Sequence, residues 1–377
     1  MHILIAPDSF KGTLAALPVA QAIAAGIRQA LPQAEIQILP LADGGEGTLD
    51  AVLHAMSGER CSAQVSDALG APIHAAFGVI GAGQNALAVL EAAQVVGLNL
   101  AGNSDVAQRT TRGLGELLRH CLDCGLRHFL IGLGGTSTND GGAGLLAALG
   151  VQFFDAAGAA ITPHPQGLAA LHHIAWEGLD PRLSQCSITL LTDVDNPLCG
   201  MDGATAIFGP QKGVRATDVP LFDARLQRLA QRGDAWAGHA LSQQPGAGAA
   251  GGLGYALLVC GAQRRSGAEA LCELMQLDAA LAKADWVITG EGQSDAQTLH
   301  GKLPWVVAQH AQRAQVPVLL LSGMIEASSR AALEQVFTAC YSLVGNDVSQ
   351  AQAMQDTASC LTERARQIAQ PTFERSR

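Results

Sequence analysis

Four loops that mix glycine with acidic or hydroxyl side chains constrain this chain most. They are residues 42–48 (ADGGEGT), 132–144 (GLGGTSTNDGGAG), 245–254 (PGAGAAGGLG) and 289–302 (TGEGQSDAQTLHGK), each beside an apolar, strand-like run. Glycine lets the backbone approach a ligand closely and turn its N–H groups toward an anion. Carboxylates next to such turns make sense if a divalent metal sits between them and a phosphate. The four loops together point to a phosphoryl-transfer site on an α/β scaffold.

The strand and helix pattern predicts two domains, as does a length of 377 residues. Residues 2–6 (HILIA) and 35–39 read as buried parallel strands, with helices over 17–31 and 47–56. The end of the chain repeats this grammar: strands over 286–289, 316–321 and 338–343, and helices near 304–315, 328–336 and 351–368. Two strands plus three make the five of a flavodoxin-like, doubly wound parallel sheet. The middle differs. Short strands at 61–66, 74–80 and 86–90 suggest an antiparallel or mixed sheet. Strands at 128–133 and 187–192 and helices at 113–124, 142–149 and 220–232 follow. The expectation is a discontinuous flavodoxin-like domain of 1–60 and 285–377, with a second α/β domain, 61–284, inserted into it.

Composition removes several classes. With 48% hydrophobic and 15% charged residues, the chain is neither disordered nor a nucleic-acid coat. A net charge of −10 without any basic run argues against nucleic acid, though a small phosphate needs only a few local cations. No apolar stretch approaches the roughly 20 residues that span a bilayer, and no signal peptide precedes the first strand; a cytoplasmic protein is expected. Of nine cysteines, Cys121 and Cys124 form the single C-x-x-C, on a predicted helix without a second pair. Small apolar residues in a reduced core explain them better than zinc or redox chemistry. His120, His128, His172 and His173 lack partners at metal-ligand spacing.

The candidate chemistry lies at strand ends. Asp8, Ser9 and Lys11 (PDSFKGT) follow the first strand, at the edge where open α/β sheets bind ligands. Asp8 can take a proton from an alcohol and Lys11 can neutralise a phosphate; the rival reading is a helix cap with solvated charges. Asp43 and Glu46 follow the second strand, so Asp43 can share a cleft with Asp8; an acidic first helical turn is the alternative. Thr136, Ser137, Thr138, Asn139 and Asp140 crowd a strand–glycine loop–helix passage suited to phosphate, although no G-K-[ST] makes it a Walker A loop. Asp193 and Asp195 (TDVDNPL) suit magnesium or turn capping, and Lys212 (FGPQKG) stands in a rigid loop. Glu291, Ser294, Asp295, Thr298 and Lys302 can face the first cleft.

The ordered series APDSFKGT, ADGGEGT, GGTSTNDGGAG, DVDNPL, FGPQKG, PGAGAAGGLG and TGEGQSDAQTLHGK resembles the bacterial class I glycerate kinases over nearly the whole chain. The resemblance implies ATP-dependent phosphorylation of D-glycerate at the 2-hydroxyl, in glyoxylate and glucarate metabolism, and a flavodoxin-like domain with an insertion. It departs from the family at Gln293, where many relatives have arginine, and at Thr136-Ser137, where Ser-Ala is frequent. The implied chemistry is in-line transfer from Mg-ATP. By their own chemistry rather than by the resemblance, Asp193, helped by Asp43, is expected to serve as general base or magnesium ligand, with Asp195 beside it, and Lys11 and Lys212 to neutralise the moving phosphoryl group. Arg112, with Thr111 and Ser9, is expected to hold glycerate, the arginine matching its carboxylate. Gly134, Gly135, Thr136, Ser137, Asn139 and Asp140, with Gly290, Glu291 and Asp295, are expected to hold ATP. Closure of a lid between the domains would exclude water. The partners implied are ATP, Mg2+ and D-glycerate, in a monomer or homodimer. The alternatives are a kinase forming 3-phosphoglycerate, a non-catalytic nucleotide or metabolite sensor, and a Rossmann oxidoreductase. The last requires G-x-G-x-x-G after the first strand, where this chain has PDSFKGT.

Overall fold

Short extended runs, many of them rich in aliphatic residues, build the eleven strands of the two larger sheets found among the described residues. In chain order they are β1 (His2–Ile5), β2 (Glu35–Ile38), β3 (Glu59–Ser66), β4 (Pro72–Ile80), β5 (Leu87–Glu91), β6 (His128–Gly132), β7 (Ser187–Leu191), β8 (Gln263–Arg265), β9 (Trp286–Thr289), β10 (Val318–Ser322) and β11 (Ala339–Ser342). The structure is a computed structural model that describes residues 1–345 and 347–373. It divides into unit 1 (Met1–Asp43, Asp50–Ser57 and Gly267–Arg377) and unit 2 (Gly44–Leu49 and Gly58–Ser266).

The sheet of unit 1 runs β11-β10-β9-β1-β2, with all neighbours parallel. Counted within the unit, that is the doubly wound order 2-1-3-4-5, and its direction reverses between β1 and β9. Parallel strands need both faces covered, which is why β1, β9 and β10 are buried along nearly their whole length rather than on alternate residues. Helix Ala16–Ala30 covers one face: Val19, Ile23 and Ile27 recur at helical spacing and are fully buried. They share a core with Leu361, Ala365 and Ile368 of helix Thr357–Phe373. Each large aliphatic side chain so buried contributes about 1.5–3 kcal/mol.

Unit 2 carries a mixed sheet, β8-β7-β6-β5-β4-β3. The β3–β4 and β4–β5 pairs are antiparallel and the rest are parallel, as the short glycine-separated strands suggested. Its core is separate and includes Leu114, Leu117, Phe129, Leu145, Leu229 and Leu253.

Several elements depart from the pattern read in the sequence. The Gly/Ala-rich stretch becomes helix Ala249–Val259, whose opening residues Ala250, Gly251 and Gly252 are left-handed. It is buried on nearly every side, so no amphipathic period marks it. The helix expected over 328–336 is only Arg330–Leu333, and the terminal helix is two, Gln350–Gln355 and Thr357–Phe373. Helices Gly267–Leu274 and Leu277–Leu281 and a hairpin of Gln152–Phe154 with His173–Ala175 were too short to read. Among the described residues, no helix is long and apolar enough to cross a membrane.

Candidate active site

In unit 1 the loops after β1, β2 and β9 leave the same, carboxyl edge of the sheet. The hydrogen-bond ladder continues past the strand ends: the Ala6 amide donates to the Ile288 carbonyl and the Asp8 amide to that of Gly290, at 2.8 and 2.9 Å. This extension sets Asp8 beside Glu291 at the topological switch point, where doubly wound sheets bind ligands. Gly290 is required there, because a Cβ would lie 1.8 Å from the Leu321 carbonyl oxygen.

A cleft of about 480 Å³ opens at this point, lined among others by Asp8, Ser9, Lys11, Asp43, Glu291 and Asp295. Asp8 is 5% exposed, and its carboxylate accepts from the Ser9 amide at 2.6 Å. Burial first, then the Asp43 carboxylate, push its carboxyl up to about 8, against the pull of Lys11. Lys11 Nζ donates to Asp43 Oδ2 at 2.9 Å. Burial disfavours its charge, but Asp43 and Asp8 outweigh that and hold the ammonium above its ordinary range. The lysine side chain is still 65% exposed, so water screens the ion pair.

The loop after β9 is braced from within. Thr298 and Ser294 hydroxyls donate to Glu291 Oε1 at 2.6 and 3.0 Å, and Asp295 caps the turn Ala296–Leu299. Burial raises the Glu291 carboxyl despite those bonds and the nearby Lys302. Lys302 Nζ lies 3.5 Å from Glu291 and 3.4 Å from Asp295, a half-buried cation in the cleft wall. Gln293 is exposed and lines the same cleft.

In unit 2 the loop after β6 builds a second, smaller pocket of about 220 Å³. Gly134, Gly135, Thr136 and Lys212 line it together with Phe208 and Ala250. Gly134 is packed so closely that a Cβ would lie 2.4 Å from the Gly45 Cα. Lys212 is buried and donates to the Thr138 carbonyl at 2.8 Å. Burial pulls its amine down to about 7, with Asp140 opposing and Arg109 reinforcing the shift. Such a lysine gains its charge readily when an anion arrives.

The other polar residues of this loop turn their side chains to the protein. Ser137 donates to the Val96 carbonyl, and Asn139 donates to Thr205, both at 2.9 Å. Asp140 accepts from the Thr111 amide and hydroxyl and from the Gly142 and Gly144 amides, fastening the start of helix Ala143–Ala148. Thr111 is therefore a partner of Asp140 and is fully buried. Arg112 is half exposed, and its Nε donates to Glu116 at 2.9 Å. Asp193 and Asp195 are exposed at the end of β7; the first accepts from the Ser266 hydroxyl at 2.8 Å, and the second pairs with Arg264 at 2.6 Å.

Two residues went unnoticed in the sequence. Arg109 is buried, and its Nη1 donates to the carbonyls of Ser137 and Lys212 at 3.2 and 3.0 Å, tying together the two loops that form the pocket. Glu91, at the end of β5, accepts from the Gly47 and Leu49 amides and anchors the loop of the ADGGEGT segment. Neither lies in a glycine-rich motif; only the position of Glu91 at a strand end could have drawn attention.

Across the described residues no group of three or more His, Cys, Asp or Glu side chains forms a ready-made metal cage. The cleft of unit 1 therefore offers a buried acid of raised proton affinity with lysines beside it. These are the parts of group transfer to an alcohol.

Comparisons with known proteins agree with this chemistry. The model of the glycerate kinase family matches residues 3–372. A glycerate kinase of Bacillus subtilis (strain 168) is 41% identical over 372 residues, 98% of this chain and 97% of its own length. A glycerate 2-kinase of Escherichia coli (strain K12) is 41% identical over 326 residues, 86% of each chain. The crystal structure of a Salmonella typhimurium LT2 protein assigned as glycerate kinase 2 superposes with a TM-score of 0.85 at 41% identity, covering 100% of this chain and 99% of that one. A chain matched from end to end by the family model and by kinases at this identity belongs to the glycerate kinase family.

Proposed function

We propose that the protein transfers the γ-phosphoryl group of ATP to the 2-hydroxyl of D-glycerate, releasing ADP and 2-phosphoglycerate. The hydroxyl oxygen forms the new bond to phosphorus as the bond to the β-phosphate oxygen breaks, and the hydroxyl proton passes to a base. The observation that carries this reading is the buried Asp8 carboxyl, raised to about 8 at the switch-point cleft beside Lys11. A base works best when its pKa lies near the working pH, and Asp8 meets that condition. The 2-hydroxyl is preferred because the Escherichia coli relative is a glycerate 2-kinase.

Lys11, freed from Asp43, neutralises charge on the transferred group, and Ser9 orients the acceptor. The Gly134 amide, expected to hold phosphate, is instead spent on the Gly44 carbonyl at 3.2 Å, while Gly135, Thr136 and Lys212 line a pocket of unit 2 suited to a separate small anion. Asp193, exposed at a strand end, would hold Mg2+, with Asp195 kept close by Arg264. Magnesium, when bound, neutralises the phosphate oxygens. The nine cysteines, all unpaired, fit a reducing cytoplasm.

The test is ADP release from Mg-ATP, with and without D-glycerate. Release that depends on D-glycerate supports the kinase. Nucleotide binding without release would make the protein a sensor instead.

A further inference from the structure

The cleft of unit 1 is larger than a three-carbon acid requires, and its two sides differ in chemistry. Glycerate has only seven heavy atoms, whereas the cleft measures about 480 Å³. The strand order sorts its walls. Asp8 and Asp43 follow β1 and β2, on one side of the carboxyl edge; Glu291, Asp295 and Lys302 follow β9, in the middle. On the far side, Met324 follows β10, and Leu343 and Val344 follow β11. Ala353 and Met354 come from the next helix, Gln350–Gln355. This far side is mainly apolar, with Gln350 and Thr357 as its polar side chains, and it includes Met354, a large hydrophobic side chain left 57% exposed.

Its few polar groups are largely spent on the protein. The Thr357 hydroxyl donates to the Ala353 carbonyl at 2.7 Å, and the Val344 carbonyl accepts from the Ser342 hydroxyl at 2.6 Å. An apolar recess continuous with a lysine-bearing floor that carboxylates also line fits a ligand with one flat apolar end and one phosphate end that arrives with a divalent cation. Methionine suits the flat end, because its flexible thioether packs well against aromatic faces.

The geometry points to the apolar side, Met324, Leu343, Val344, Ala353 and Met354, as the seat of the heteroaromatic base of the phosphoryl donor. This assignment rests on the proposed kinase reading. The donor then lies along the carboxyl edge: base over β10 and β11, phosphates past Lys302, and the reacting end at Asp8. No recognisable motif marks the base site, because its walls come from three segments separated in sequence.

Calorimetric titration with Mg-ADP and with Mg-tripolyphosphate, which lacks a base, tests the assignment on the full chain. Met354→Glu should weaken Mg-ADP at least tenfold and Mg-tripolyphosphate no more than about threefold. Met354→Gln, which adds polarity without charge, should weaken Mg-ADP about three- to tenfold. Met354 is exposed, so both variants are expected to fold, and circular dichroism checks this. Unchanged Mg-ADP affinity in both variants overturns the assignment, as does equal weakening of both ligands. If the wild type shows the expected pattern but never phosphorylates D-glycerate, the base site stands and the kinase reading falls. If it binds no Mg-ADP, both fall.

Discussion

Asp8 shows how far single residues can be read before the fold is known. Its place after the first apolar run put it at the ligand-binding edge, and Lys11 and Asp43 were legible beside it for the same reason. Its burial was not legible, since that depends on β9 pairing with β1 from 283 residues away. Asp8→Asn should lower kcat at least a hundredfold, the usual range for a lost general base. The fold should survive, because the substitution keeps the shape and removes a carboxylate whose charge burial disfavours. Thermal melting beside steady-state kinetics checks both. The pH dependence has a definite sign. A carboxyl raised to about 8 is protonated, and useless as a base, below that pH. The kcat/KM for D-glycerate should therefore rise with pH and level off above about 8; a profile flat from pH 6 to 9 would contradict the assignment. Arg109 marks the limit of sequence reading, because nothing in a lone arginine foretells two carbonyl acceptors far apart in the chain.

Elements were read best where an aliphatic run ends in glycine, as in β1, β6 and β9. They were read worst where burial erases periodicity. Helix Ala249–Val259 is apolar all round and opens with three left-handed residues, so its sequence looks like a linker. The glycine loop after β6 was legible as a turn, but its interior was not: Ser137, Asn139 and Asp140 brace the loop. Close backbone packing is the physical need for Gly134, whose added Cβ would press on the Gly45 Cα at 2.4 Å. Gly134→Ala should cost about 1–3 kcal/mol of stability, typical of overpacking, and appear as a lower denaturant midpoint. An unchanged midpoint would show that the two loops can separate freely.

Across the molecule, the parallel order of unit 1 was within reach of the sequence because five strands alternate with helices. The mixed sheet of unit 2 was suggested by its short, glycine-separated strands. The apolar wall of the unit 1 cleft was out of reach, since strand order, not sequence proximity, gathers it. Each unit has its own hydrophobic core. Heat should therefore unfold the protein in more than one step, with a calorimetric enthalpy above the van't Hoff value. A single two-state transition would mean that the cores melt together. The central claim is phosphoryl transfer to the 2-hydroxyl of D-glycerate, and a phosphorus NMR time course with Mg-ATP tests it most directly. The predicted product carries its phosphate on the oxygen of a CH carbon, so a new phosphomonoester doublet should grow as ATP gives way to ADP. A triplet from phosphate on the oxygen of a CH2 carbon, or ATP left intact beside folded protein, would contradict it.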